Sequence, residues 1–316
     1  MLYRPLGSTG IKVSEISLGS WLTYGNGVED DTAVRTIDQA YALGVNFFDT
    51  ANAYNRGEAE KVVGKALRKY DRGSYVLATK VFFPMGEGPN DRGLSRNHIM
   101  EQAHASLKRL GLDYVDILYC HRYDQETPVP ETLRAIDDLI RQGKVLYAGV
   151  SEWSAAQIEE AVRVADRCLL DRIVVNQPQY NMLHRKIEDE IIPVSDKHGI
   201  GQVVFSPLAQ GLLTGKYKNP GDIPADSRAA SDKMNRFIQR WLTEATFAKV
   251  AKLNAIADQL GIPLARLALA WVLRQPNVSS ALIGASRQQQ VVENVKASGY
   301  ALTEETLSQI DDALAE

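Results

Sequence analysis

The 316-residue chain could hold one large α/β domain or two smaller ones, and 45% hydrophobic with 24% charged residues suits a sizeable buried core. A net charge of −3 gives no basic surplus for nucleic acid, and the longest apolar runs are far too short to span a bilayer. Met1 leads directly into LYRPLGSTG, which has no leader-like charged or apolar region, and two cysteines, Cys120 and Cys168, suggest no disulfide framework, so a reducing cytoplasm is the expected setting.

Residues 2–14 read as a β-hairpin turning at Gly7-Ser8-Thr9-Gly10, and Ile16-Ser17-Leu18 reads as a short strand. Strands and helices then alternate. Helix 31–43 precedes strand 45–49, and helix 58–70 carries Val62, Val63, Ala66 and Leu67 on one face. Strand 75–80 leads to helix 96–110, with its stripe of Ile99, Ala103, Leu107 and Leu110. Strand 114–121 leads to helix 130–142, which Gly143 ends as a C′ residue. Strand 145–150, a helix 155–167 opened by the capping box Ser154-x-x-Gln157, strand 173–177, helix 187–198 and strand 202–205 follow. Residues 206–242 have no sustained period and read as a long loop, of a kind that is usually functional or disordered. Helices 244–260 and 264–275, strand 281–283, helix 287–297 and a last helix 303–315 complete the chain. Strands joined by helical crossovers run parallel, and eight such units make the size of a (β/α)₈ TIM barrel. A doubly wound sheet is the competing architecture, but no glycine-rich turn follows the first strand. No linker divides the chain, so residues 1–316 are read as one domain.

Barrel active sites lie at the C-terminal ends of the strands. Three consecutive strands place a titratable residue there: Asp49, Lys80 and His121. Tyr54 follows in the loop after the first of these. A free phenol, with its pKa near 10, is a poor proton donor at neutral pH. A lysine ammonium beside it would lower that pKa, and an aspartate would keep the lysine charged and oriented. A histidine can donate a hydrogen bond to a carbonyl oxygen. Together the four suit reduction of a carbonyl, in which hydride reaches carbon and a proton reaches oxygen. Four other readings compete: a structural ion pair between Asp49 and Lys80, Tyr54 as a rim aromatic, His121 as a satisfied core histidine, and a Schiff-base Lys80 as in barrel aldolases.

The chain resembles the aldo-keto reductases over essentially its whole length. GVNFFDTANAYNRGEAEKVVGKAL is similar to the family's segment around the aspartate and tyrosine, LGLDYVDILYCHR to that leading into the histidine, and LATK to its lysine segment. The resemblance implies Tyr54 as general acid, Asp49 and Lys80 as its tuning pair, and His121 as the group that orients the carbonyl. RGLSR (92–96), SPLAQGLLTGKY (206–217) and IGASRQQQVVEN (283–294) resemble the branch that holds potassium-channel beta subunits and bacterial reductases. In that branch the channel subunits carry asparagine where this chain has His121, which favours catalysis over sensing.

A hydride donor follows, and barrels often bind its phosphates with the loops after strands 7 and 8. Those loops hold Ser206, Pro207, Leu208 and Gly211, and then Gly284, Ser286 and Arg287. Ser286-x-x-Gln289 can equally be a capping box that needs no ligand. By resemblance Ser286, Arg287, Gln290, Glu293 and Asn294 hold the adenosine end, with Arg287 and Arg228 near a 2′-phosphate, so NADP (NADPH) is favoured over NAD. Ser151 and Gln177 suit the nicotinamide carboxamide, Phe205 falls where relatives stack an aromatic on the ring, and Lys216 is expected over the pyrophosphate. Trp21 is grouped with these as a wall of the carbonyl pocket. Glu152 stands where many relatives have Asn or Arg. The implied substrates are small-molecule aldehydes or ketones in an open site. No metal, nucleic acid or membrane insertion is expected, and the resemblance implies a homo-oligomer, a tetramer or an octamer. The competing function is an NADP-binding regulatory or redox-sensing subunit with little turnover.

Overall fold

The computed structural model describes residues 1–25, 28–217, 219, 223–224, 228–230, 235 and 238–315, without the side chain of Arg228. Strands β1 (Tyr3–Pro5) and β2 (Lys12–Ser14) form the antiparallel hairpin. Eight parallel strands follow: β3 (Ile16–Gly19), β4 (Phe47–Asp49), β5 (Val76–Val81), β6 (Val115–Cys120), β7 (Val145–Ser151), β8 (Ile173–Gln177), β9 (Gly201–Phe205) and β10 (Val278–Gly284). They pair in chain order and β10 closes on β3, so the sheet is a complete barrel without edges. The crossovers are α1 (Asp30–Ala42), α2 (Glu58–Leu67), α3 (Arg96–Leu110), α4 (Val129–Arg141), α5 (Ala155–Cys168), α6 (Ile191–His198), and the pair α7 (Glu244–Gln259) and α8 (Leu264–Leu273). After the barrel come α9 (Gln288–Asn294) and α10 (Glu304–Ala315).

Several boundaries differ from the sequence reading. The last barrel strand is longer than expected, because Val278 and Ser280 also pair with β9, with a register shift at Ser279 between them. Helix α2 stops at Leu67, three residues early, and α6 starts only after a 3₁₀ turn at Lys186–Glu188. The capping box at Ser154 and Gln157 is present, and Gly143 takes the left-handed conformation past α4. Within 206–242 the described residues form 3₁₀ turns at Ala209–Thr214, Arg228–Ala230 and Gln239–Trp241.

Strand alternation divides the core in two. Leu18, Phe48, Leu77, Leu118 and Cys120 face outward and pack with the helices. Phe47, Val76, Ala78, Ile117, Tyr119, Val175, Val203 and Leu282 fill the interior. Leu6 and Val13 of the hairpin segment join that interior cluster, so the hairpin plugs the N-terminal mouth. The same parity carries inward from Phe47 to Asp49, from Ala78 to Lys80, from Tyr119 to His121 and from Val175 to Gln177.

Gly149 of β7 lets Tyr119 fill the space below the C-terminal mouth. A Cβ there would lie 2.6 Å from Tyr119 Cδ1 and 2.9 Å from Val175 Cγ1. Overpacking a filled interior costs roughly 1–3 kcal/mol. Gly149→Ala is therefore expected to lower the unfolding free energy obtained from a denaturant titration by that amount; an unchanged value would mean that the ring moves freely.

Candidate active site

Lys80 is fully buried, and its ammonium has three protons to place. They go to Asp49 Oδ1, to the Thr50 carbonyl at 2.9 Å and to the Tyr54 hydroxyl at 3.1 Å. The other oxygen of Asp49 accepts from Gln177 Nε2 at 2.9 Å, and the Gln177 carbonyl accepts from Ser151 Oγ at 2.8 Å. One chain of polar contacts thus links β7, β8, β4 and β5. Thr50, which orients the ammonium through its carbonyl, is itself held by a Ser20–Thr50 hydroxyl contact at 2.9 Å. An ammonium with all its protons engaged is no nucleophile, which removes the basis for a Schiff-base reading of Lys80.

Strand β6 ends at Cys120, one residue before His121, and β5 continues one residue beyond Lys80. Neither difference moves the side chains off the mouth. The His121 ring meets Tyr54 edge-on at 5.7 Å and Phe83 at 4.8 Å. Arg122 donates to the carbonyl of His121 at 2.5 Å, and its guanidinium lies 5.7 Å from the Phe83 ring. Phe83 and Arg122 were missed in the sequence. Their signals were the Phe82-Phe83 pair just past β5 and the cation directly after His121.

The electrostatics partly reverse the expectation for Tyr54. Burial pushes its pKa up, Lys80 pulls it down as expected, and Asp49 opposes Lys80; the net direction is upward. Tyr54 is therefore a neutral phenol, a donor in need of an oxygen that gains charge. Burial alone would lower Lys80, but Asp49 and Tyr54 outweigh it and hold the ammonium charged. Burial, helped by the charges of Lys80 and Arg122, drives His121 well below its ordinary range, so the ring is neutral at pH 7. His98 and His184 are shifted the same way, both chiefly by burial. Depressed histidines give a stability that is present above the unfolded-state value of 6.5 and is lost as pH falls through the folded values. The thermal midpoint should accordingly fall between pH 7 and pH 5, and less steeply in His121→Asn; equal slopes in the two proteins would contradict a neutral His121.

The remaining expected residues lie at or after the C-terminal ends of β3, β7, β9 and β10 or belong to α9. Phe205 meets Trp21 edge-on at 6.5 Å, although β3 ends at Gly19 and Trp21 sits in the turn beyond it. Ser206 shares a contact with Gln210 and its carbonyl accepts from Asn181 at 3.0 Å. Pro207 and Leu208 lie in that turn, and a Cβ at Gly211 would come 3.5 Å from Lys216 Cε, so chain and lysine lie close. Gly284 ends β10 opposite Gly19.

At α9 the capping partner is Gln290 rather than Gln289. Gln290 Oε1 accepts from Ser286 N at 2.8 Å and Arg287 N at 3.3 Å, while Gln289 bonds Glu293 at 3.2 Å. Helix α9 starts one residue later than the expected box required, which moves the third helical position to Gln290. Glu293 also pairs with Lys296 at 2.8 Å, and Asn294 is buried. Arg287 is exposed, and the Arg228 side chain lies outside the described residues. Glu152 takes a left-handed φ of 57° and accepts from Gln179 N at 2.7 Å, so it braces the loop after β8.

Backbone strain gathers at this mouth. Among the described residues eight non-glycines have positive φ, and seven of them, Leu22, Asn55, Arg56, Glu152, Ser206, Ala209 and Gln210, lie in segments that leave strand C-terminal ends. Such conformations cost about 1–3 kcal/mol each and concentrate where function fixes the chain.

Residues 15–315 match the model of the Aldo/keto reductase family. The chain belongs to that family. It is 49% identical over 300 residues, 94% of this chain and 91% of the relative, to an Arabidopsis thaliana protein named "Probable voltage-gated potassium channel subunit beta". An Oryza sativa subsp. japonica protein of the same name is 46% identical over 98% of this chain and 96% of its own length. Aldo/keto reductases are oxidoreductases that act on small carbonyl compounds and generally use NADP(H). No single helix among the described residues is long and apolar enough to cross a membrane; α7 and α8 are together apolar enough but bend by 94°.

Proposed function

We propose that this chain reduces aldehydes, and ketones that fit the same mouth, to alcohols with NADPH as the hydride donor. The observation that carries this reading is the phenol of Tyr54 held 3.1 Å from a buried, charged Lys80, with a neutral His121 ring beside it. Neutral His121 can donate an N–H to a substrate carbonyl and orient it. As that oxygen gains negative charge, Tyr54 gives up its proton, and the ammonium at 3.1 Å stabilises the phenolate left behind. Asp49, fixed by Gln177, keeps the ammonium in place.

Bound NADPH would supply the hydride. The residues fit such a group in chemistry. Phe205 and Trp21 offer aromatic faces, Ser151 and Gln177 a hydroxyl and an amide, and Lys216 and Arg287 exposed cations on the loops after the adjacent strands β9 and β10. Ser286, Gln290, Glu293 and Asn294 surround the second of those loops, with Ser206, Pro207, Leu208 and Gly211 on the first. Gln177 must share its amide between Asp49 and any cofactor head group. Binding of NADPH and of NADH by calorimetry, followed by absorbance loss with an aldehyde, tests the reading. Tight NADPH binding with turnover is expected; no binding of either nucleotide would sink it.

A second reading is an NADP-binding regulatory subunit with little turnover; what favours a subunit role is that the relatives are named as potassium channel beta subunits. NADPH binding without reduction across a broad aldehyde panel would support it. Either reading is compatible with an assembly of several copies, which light scattering would measure.

A further inference from the structure

Arg122 is a half-buried cation beside the reacting groups, and the chemistry above gives it no work. It follows His121 immediately, donates to the His121 carbonyl, and lies against the Phe83 ring that packs on the His121 imidazole. Among the described residues no carboxylate pairs with it. The nearest acid along the chain, Asp124, is committed elsewhere: it accepts from Leu94 N at 2.7 Å, Thr127 Oγ1 at 2.8 Å and Glu126 N at 3.0 Å. The Coulombic reach of Arg122 includes both Tyr54 and His121. The Asp49–Lys80 pair is neutral as a unit and His121 is uncharged. Arg122 therefore leaves this side of the mouth positive.

That charge is on the wrong side to serve cofactor phosphates. Strand β6, which delivers Arg122, lies four strands from β10 either way round the barrel. The phosphate-binding candidates Lys216 and Arg287 follow β9 and β10. A guanidinium half out of water with no acid to neutralise it is an anion receptor whose fork fits a carboxylate or a phosphate. The anion it meets here must arrive with the carbonyl compound.

Building on the reductase reading, we propose that Arg122 is a specificity-determining residue that favours aldehydes bearing a carboxylate or phosphate over their neutral counterparts. A charge-assisted hydrogen bond contributes about 1.5–3 kcal/mol, which is roughly ten- to a hundredfold in kcat/KM.

The test compares matched pairs on wild type, Arg122→Gln and Arg122→Lys: 4-carboxybenzaldehyde with benzaldehyde, and glycolaldehyde phosphate with glycolaldehyde. The readout is the anionic-to-neutral ratio of kcat/KM within each protein, so changes in overall rate cancel. Wild type should prefer the anionic member about tenfold or more, chiefly through KM and less at high salt. Arg122→Gln should collapse the ratio, and Arg122→Lys should retain part of it. A preference in only one pair identifies the anion that the site takes. Equal kcat/KM within both pairs on wild type, or a ratio that survives in Arg122→Gln, would overturn the proposal while leaving the reductase reading intact. If wild type reduces none of the four, that reading fails, and calorimetry with 4-(hydroxymethyl)benzoate and benzyl alcohol still decides the role of Arg122. Tighter, Arg122-dependent binding of the carboxylate supports it, and equal binding of the two overturns it.

Discussion

Tyr54→Phe should lower kcat for aldehyde reduction by about 10²–10⁴-fold, the range for loss of a positioned general acid. The substitution removes one oxygen from a ring whose remaining contacts, the edge-on His121 and the Lys80 ammonium over its face, do not require the hydroxyl. Cofactor binding should therefore stay close to wild type, while the buried ammonium, left with one proton unpaired, should lower stability by about 1–3 kcal/mol. The loss should appear in kcat and kcat/KM alike, since the phenol acts on an oxygen that acquires charge only as the reaction proceeds. A variant with wild-type rates would remove Tyr54 from the chemistry and reduce it to a rim aromatic. The pH profile gives a second check. Because burial outweighs Lys80 at this phenol, no loss of activity from Tyr54 ionisation should occur near neutral pH.

The second large effect belongs to Lys80→Met. It leaves Asp49 buried with only Gln177 as a partner, and breaking a buried pair from one side costs about 3–5 kcal/mol. The sign with pH follows from Asp49. Burial already raises its pKa against the pull of Lys80, and without the ammonium it rises further. A carboxyl with a raised folded-state pKa stabilises the protein below its unfolded value, and that contribution is lost as pH rises through the folded value. Lys80→Met should therefore be least destabilised in mild acid and most destabilised at neutral pH and above. Adding Asp49→Asn removes the orphaned charge and should recover part of the lost stability, so that a double-mutant cycle reports strong coupling. Activity should be lost in both variants. If Lys80→Met melts like wild type at pH 7, Asp49 is not a charged partner in the folded protein.

The barrel was legible because two periodicities carry it. Runs such as Phe47-Phe48-Asp49 and Tyr119-Cys120-His121 announce both a strand and the inward parity of its last residue, and that parity delivers Asp49, Lys80 and His121 to one mouth. Contacts between distant segments left no such trace. Gln177 and Asp49, 128 residues apart, were each singled out but for separate tasks, and only the closed barrel joins them. Phe83 and Arg122 lie just past strand ends, where alternation stops and no local rule fixes a side chain's direction. The α9 cap moved from Gln289 to Gln290 because a one-residue change in helix start reassigns the third position. For Tyr54 the sequence identified the charges around the phenol but not the depth of burial that outweighs them.

The proposed reduction requires hydride to reach a carbonyl carbon at this mouth while Tyr54 protonates its oxygen. Incubating the protein with an aldehyde and NADPH carrying deuterium at the transferable ring position, then analysing the alcohol by mass spectrometry, tests that directly. The predicted result is one deuterium on the carbinol carbon of the wild-type product, with yield falling sharply in Tyr54→Phe. Absence of alcohol, or alcohol without deuterium, would contradict it.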